Sequence, residues 1–207
     1  MWANGERDEA LRYLQKFSLD LTEIIRRSTV IRGPEQLPLH VEEAYQKLLA
    51  RCFLKSGQWQ MELNPAWAEV CRQLLPDSVA RTEFAIKDSA EILVSFEQAT
   101  RYDPTWYKSW HTWALANVDV IGHIEDHEQR IEDAIPETVA EYTVAAIEGL
   151  LRSISLGEQN SLQDTLRLLT LWFKFGSHDD VSHAVAGGFS MVSVDTWLEV
   201  IPQVRQT

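Results

Sequence analysis

Apolar residues in this chain recur at intervals of three and four and almost nowhere alternate. That spacing gathers them on one stripe of a helix, and a chain made of such stripes must bury helix against helix. Leu11, Leu14, Leu21, Ile24 and Ile25 form the first stripe, which Arg32-Gly33-Pro34 through Pro38 interrupts. The spacing resumes at Val41, Ala44, Leu48, Leu49, Cys52 and Phe53, and Gly57 is expected to stop that helix. Asn64-Pro65 and Pro76-Asp77 bracket a short amphipathic stretch with Trp67, Val70, Leu74 and Leu75. A further helix over about residues 83–101 carries Phe84, Ile92, Leu93 and Phe96. Asp103 is expected to cap the next one, with Pro104 at its first position. That helix carries Trp106, Trp110, Trp113 and Leu115. Residues 142–156 are apolar and helical up to Gly157, and Ser161 and Asp164 have the spacing of a capping box opening a run to Phe175. Gly176 should end that run. Two short helices follow, near residues 181–186 and after Asp195. The fold class expected is all-α.

Composition narrows the function. A length of 207 residues with 45% hydrophobic and 24% charged residues is enough to bury a sizeable core. The net charge of −12 argues against general nucleic-acid binding, which needs a basic face, though it leaves room for a local basic pocket. The only cysteines, Cys52 and Cys71, lack metal-ribbon spacing, so neither a disulfide framework nor a zinc site is indicated and a reducing compartment fits. The polar, acidic start is not a signal peptide, and no apolar run is long enough to span a membrane. Five of the eight tryptophans, Trp59, Trp67, Trp106, Trp110 and Trp113, stand at or near helical spacing, which points to deep helix–helix packing.

The helices show a repeat. Phe96, Ala99 and Pro104 have the spacing that closes the second helix of a tetratricopeptide repeat, and Trp110 stands where the next repeat wants its tryptophan. Leu49, Ala50, Phe53, Gly57 and Trp59 fit a first helix and its turn. The two matches are out of phase by about 30 residues against a period of about 34, which an insertion over about 64–87 accounts for. The organisation expected is tetratricopeptide-like repeats over 1–124, an acidic, solvated linker over 125–141, and the start of HEAT-like repeats over 142–207. An antiparallel helical-pair solenoid of this kind works as a spring or scaffold.

Little of the sequence reads as catalytic machinery. A protein kinase needs H-R-D, D-F-G and a glycine-rich phosphate loop, and the chain has none of them. Gly187-Gly188 is a lone pair without phosphate-loop context. His123 and His127 share a helix face, but Glu125 is one place late for a zinc-protease motif, so a solvated acidic helix end is the plainer reading. Trp106, Trp110 and Trp113 at helical spacing are read as core rather than as a ligand cage, and Cys52 as inert core. Arg51 and Lys55 are four apart and share a face. With Lys108 they offer three cations in an acidic protein, a set that a polyphosphate would balance. The plainer alternative is that all three snorkel on the surface of an amphipathic stack.

Three segments resemble the TOR family of phosphatidylinositol-3-kinase-related protein kinases: Leu49-Ala50-Arg51-Cys52-Phe53-Leu54-Lys55-Ser56-Gly57-Gln58-Trp59-Gln60, Asp103-Pro104-Thr105-Trp106-Tyr107-Lys108-Ser109-Trp110-His111-Thr112-Trp113-Ala114, and Ser161-Leu162-Gln163-Asp164-Thr165-Leu166-Arg167-Leu168-Leu169-Thr170-Leu171-Trp172-Phe173, the last followed by Asp195-Thr196-Trp197-Leu198-Glu199-Val200-Ile201-Pro202-Gln203. The resemblance runs from about Val41 onward and departs at 64–87, which looks longer than the family's connection, and at 204–207. Both ends therefore look like cuts in a longer chain. The resemblance implies a late position in the FAT region, which clamps around the kinase domain of an enzyme that phosphorylates serine and threonine in growth and nutrient signalling. It implies a cytoplasmic setting, with parent complexes that associate with endomembranes, and as partners the rest of FAT, the kinase domain and the TOR complex subunits. It also implies inositol hexakisphosphate as a structural cofactor, because Arg51, Lys55 and Lys108 fall on matching motifs. The rival expectation is a free-standing tetratricopeptide adaptor that binds peptides. Such an adaptor needs polar capping helices, and the apolar stretch 197–204 lacks that character.

Overall fold

The structure is a computed structural model and describes residues 6–30, 38–64, 78–128, 137–157 and 161–198. Among the described residues every regular element is helical and there is no strand. The helices are α1 (Arg7–Val30), α2 (Leu39–Leu63), α3 (Ser78–Tyr102), α4 (Tyr107–Glu128), α5 (Glu137–Leu156), α6 (Ser161–Phe175) and α7 (Asp179–Gly188), the last running into a single 3-10 turn at Phe189–Met191. The chain divides into two compact units, Met1–Pro104 and Thr105–Thr207.

In the first unit α2 packs between α1 and α3. Leu21 and Ile25 of α1 close on Leu49 of α2, with Tyr45, Phe53 and Tyr102 around them. The register between α2 and α3 is antiparallel. Phe53 stacks on Tyr102 at 5.6 Å, Gly57 faces Phe96, and Ser95 Oγ donates to Gln60 Oε1 at 2.8 Å.

Gly57 does not stop α2, which continues to Leu63. Its role is a close approach: a Cβ there would lie 2.5 Å from Phe96 Cε1, so only a hydrogen lets the ring seat against the helix. Glycine inside a helix costs about 1 kcal/mol relative to alanine, while burying a phenylalanine contributes about 1.5–3 kcal/mol. Phe96 is 0% exposed, so the packing outweighs the propensity.

In the second unit α5 is the hub, packed by α4, α6 and α7. Tyr107 lies near Gly157, Arg152 lies over Trp110, and Ala114 meets Gly149, so α4 and α5 are antiparallel. The Ala114–Gly149 contact brings the two backbones close, and Gly188 gives α7 the same access to Leu151. Gly157 and Gly176 do end their helices, each donating its N–H to the carbonyl four residues back, Ser153 at 2.9 Å and Trp172 at 2.7 Å.

Two expected starts shift. Residues 104–105 form a turn and α4 opens at Tyr107, where the Ser109 amide and hydroxyl both donate to the Trp106 carbonyl. The last helical turn, 194–198, is capped by Ser193, whose Oγ accepts from the Thr196 N–H at 3.2 Å, rather than opened by Asp195.

The tryptophans are half-buried rather than deep. Trp59, Trp106, Trp110 and Trp113 all keep an accessible edge, while the fully buried positions go to Phe96, Leu49, Ile92, Ile124, Ile147, Leu150 and Leu168. A helix pair closed on glycine and alanine leaves no room for an indole between its axes, so the large rings move to the flanks.

Of the expected acidic linker, 125–128 is the last turn of α4 and 137–141 the first of α5, and 129–136 lies outside the described residues. Of the expected insertion, 78–87 belongs to α3, while Trp67, Val70, Cys71, Leu74 and Leu75 lie outside the described residues. No described helix is long and apolar enough to cross a membrane.

Candidate functional site

α2 turns one face inward through Leu49, Ala50, Cys52, Leu54, Ser56 and Gly57. Arg51 and Lys55 fall one turn apart on the exposed side. Neither forms an ion pair with a described residue. Lys55 Nζ lies 5.4 Å from the centroid of the Trp59 ring and 3.5 Å from Gln58 Oε1. Among the described residues these two cations have no paired acid, although the exposed side of α2 also carries Glu43 and Glu62. Lys108, the third expected member, belongs to the second unit, where it is exposed in the first turn of α4.

Cys52, on the opposite side of α2, is buried. Burial pushes its thiol up, against a smaller downward effect of a hydrogen bond with Ser18, which keeps it a protonated, unreactive group.

The second unit holds a buried polar cluster that helical periodicity does not announce. Asp164 of α6 is 1% exposed. Its Oδ2 accepts from His111 Nδ1 of α4 at 2.8 Å and from Ser153 Oγ of α5 at 2.8 Å, and its Oδ1 accepts from Arg167 Nη1 at 3.0 Å. Burial pushes this carboxyl up, but the hydrogen bonds from His111 and Ser153 and the charges of His111 and Arg167 outweigh it and hold it below the ordinary value. The expected capping-box carboxylate is therefore turned into the core, where it ties three helices together.

Aspartate, histidine and serine in contact invite a catalytic reading, and the order of contacts rules it out. Nucleophile activation needs the serine hydroxyl bonded to the histidine. Here both donate to the same carboxylate oxygen, so the serine hydroxyl is spent on the aspartate and not on the imidazole. Among the described residues there is also no group of three His, Cys, Asp or Glu able to hold a metal. The side chains of His123 and His127 lie outside the described residues.

The family model of the FAT domain matches residues 1–170. The chain belongs to the FAT-domain family. Its relatives include serine/threonine-protein kinase TOR2 of Saccharomyces cerevisiae, 38% identical over 241 residues, with 99% of this chain and 9% of that protein covered. Serine/threonine-protein kinase tor1 of Schizosaccharomyces pombe is 39% identical over 209 residues, covering 99% of this chain and 8% of the relative. Serine/threonine-protein kinase mTor of Drosophila melanogaster is 37% identical over 218 residues, again with 99% and 8% covered. The chain thus spans under a tenth of the length of these relatives.

The matched part of this FAT segment contains Arg51, Lys55 and Lys108 and all four members of the Asp164 cluster. The cations were legible because a spacing of four is itself a statement about a shared face. The Asp164 cluster was not, since its members come from helices 11 and 53 residues apart in sequence. The one signal that could have found it is a Ser-x-x-Asp whose aspartate falls on the apolar stripe of its own helix, in line with Leu168, Leu171 and Phe175.

Proposed function

We propose that this FAT segment is a non-catalytic helical scaffold piece of a TOR-type serine/threonine protein kinase in nutrient and growth signalling. It packs around the kinase domain, with the rest of FAT and the complex subunits as its other neighbours. Arg51, Lys55 and Lys108 contribute to a site for inositol hexakisphosphate.

The observation that carries the anion site is the outer face of α2. Two cations one turn apart, unpaired with any described carboxylate, stand on a chain whose net charge is −12. Multiply phosphorylated anions supply charge-assisted acceptors to several such groups at once. The scaffold reading is supported by helices that close on one another through small residues and by a buried polar cluster that binds helices together rather than a substrate.

The test is the thermal melt of the chain with and without inositol hexakisphosphate, against sulfate at matched ionic strength. Binding to the native state alone raises the stability by about 2.7 kcal/mol at a hundredfold excess over the dissociation constant. The expected outcome is a rise with inositol hexakisphosphate alone, abolished by Lys55→Glu with Lys108→Glu while the melt itself stays cooperative. A double variant that keeps the full rise would refute the assignment of these residues.

A further inference from the structure

Lys55 is an exposed lysine with an unusual restraint. An ordinary surface lysine sweeps through many rotamers and loses that freedom when it binds an anion. Here the ammonium is already held from two sides. The Trp59 ring lies 5.4 Å from Nζ, within cation–π range, and Gln58 Oε1 lies at 3.5 Å. Both restraints come from within about one turn of the same helix, so they exist whenever α2 is folded. Trp59 is half-buried, so part of its ring is covered by the protein. An ammonium carries three donors, and Gln58 takes one of them, which leaves two for a ligand.

We infer that Trp59 is the positioning residue of this anion face: its ring, with Gln58 beside it, sets the Lys55 ammonium one turn beyond Arg51 before any ligand arrives. The inference rests on the polyanion reading above and adds to it a selectivity. A preset Lys55 ammonium lowers the ordering cost of binding, which favours anions whose phosphates are themselves fixed, as on a ring, over flexible chains that must be ordered on binding. Trp59 itself touches no phosphate in this arrangement and acts through Lys55.

The experiment is a binding titration with inositol hexakisphosphate on the full chain and on Trp59→Leu, Trp59→Phe, Lys55→Met, and Lys55→Met combined with Trp59→Leu. A cation–π contact of this exposure predicts that Trp59→Leu weakens binding by about two- to fivefold, while Trp59→Phe stays close to the parent. In the Lys55→Met background, Trp59→Leu should cause no further loss, because residues that act through one contact are non-additive. An equal loss in both backgrounds overturns the inference and leaves Trp59 a packing residue. No binding by the parent chain overturns the polyanion reading, and the inference with it. A readout free of any variant is the Lys55 ε-methylene proton shift, expected upfield from the Trp59 ring current. An ordinary surface-lysine value there overturns the positioning role even where Trp59→Leu does not fold.

Discussion

Glu23 in the first unit and Asp164 in the second are both carboxylates held below their usual range, by opposite routes. Glu23 is paired with Arg26 at 2.7 Å and Arg27 at 2.7 Å, both on its own helix, and hydrogen bonds from these, Arg26 first, bring it to about 2. It is solvent-facing, and its partners follow from α1 being a helix at all. Asp164 is buried, and two of its donors come from other helices. The first arrangement decorates one element. The second holds only when α4, α5 and α6 are docked. A depressed pKa alone therefore says nothing about architecture; where the donors come from does.

The largest effect expected follows from Asp164→Ala. Ser153 then loses its buried acceptor and His111 and Arg167 lose their counter-charge, at a cost of about 3 kcal/mol. Hydrogen exchange resolved by peptide should place that loss in α4–α6, and a variant with unchanged protection there would remove the distinction drawn between the two acids.

Next in size is Gly57→Ala, which drives a methyl into the Phe96 ring and should destabilise the first unit by about 1–3 kcal/mol. Gly122→Ala is its control. A Cβ there meets nothing within 4 Å, so the helix propensity gained should stabilise by up to about 1 kcal/mol. Denaturant midpoints of opposite sign would confirm that one glycine serves packing and the other does not.

Acid gives a smaller, sharper comparison. The folded Asp164 carboxyl titrates below its ordinary value of 3.8, so in acid the unfolded chain takes up the proton first. Its contribution is complete above that value and is lost as pH falls through the folded pKa. In melts from pH 5 downward, the second unit of the parent chain should lose stability below about pH 4, and Asp164→Asn should flatten the curve in that window. The smallest effects belong to the surface. Glu23→Gln should leave the melting midpoint at neutral pH unmoved, and Lys55→Glu with Lys108→Glu should stay within about 0.5 kcal/mol of the parent without ligand.

These contrasts mark what the sequence could carry. Helix content, the stripes of α1 through α7 and the glycine stops at 157 and 176 were readable, because periodicity and a terminal glycine are local properties. Gly57 was misread for the same reason. A glycine within a helix and one just past its end look alike until Phe96, 39 positions on, is known to face it. The tryptophans misled through their size, which suggests depth when the small residues around them, Gly149 and Ala114 above all, determine how close the helices come. Of the candidate site, the Arg51–Lys55 face was legible from spacing, while the Trp59 restraint on Lys55 needed side-chain geometry.

The parts of the Asp164 cluster are also made in a fixed order. Ser153 is 11 residues from Asp164 and His111 is 53, so as the chain leaves the ribosome the α4–α5 hairpin is complete before its acceptor emerges. Until α6 docks, the Ser153 hydroxyl and the His111 imidazole on that hairpin lack the carboxylate that accepts from both in the folded chain. The buried charge thus makes docking of α6 specific as well as favourable. A misdocked helix would seat its leucines almost anywhere, but it would leave the seam polar and open.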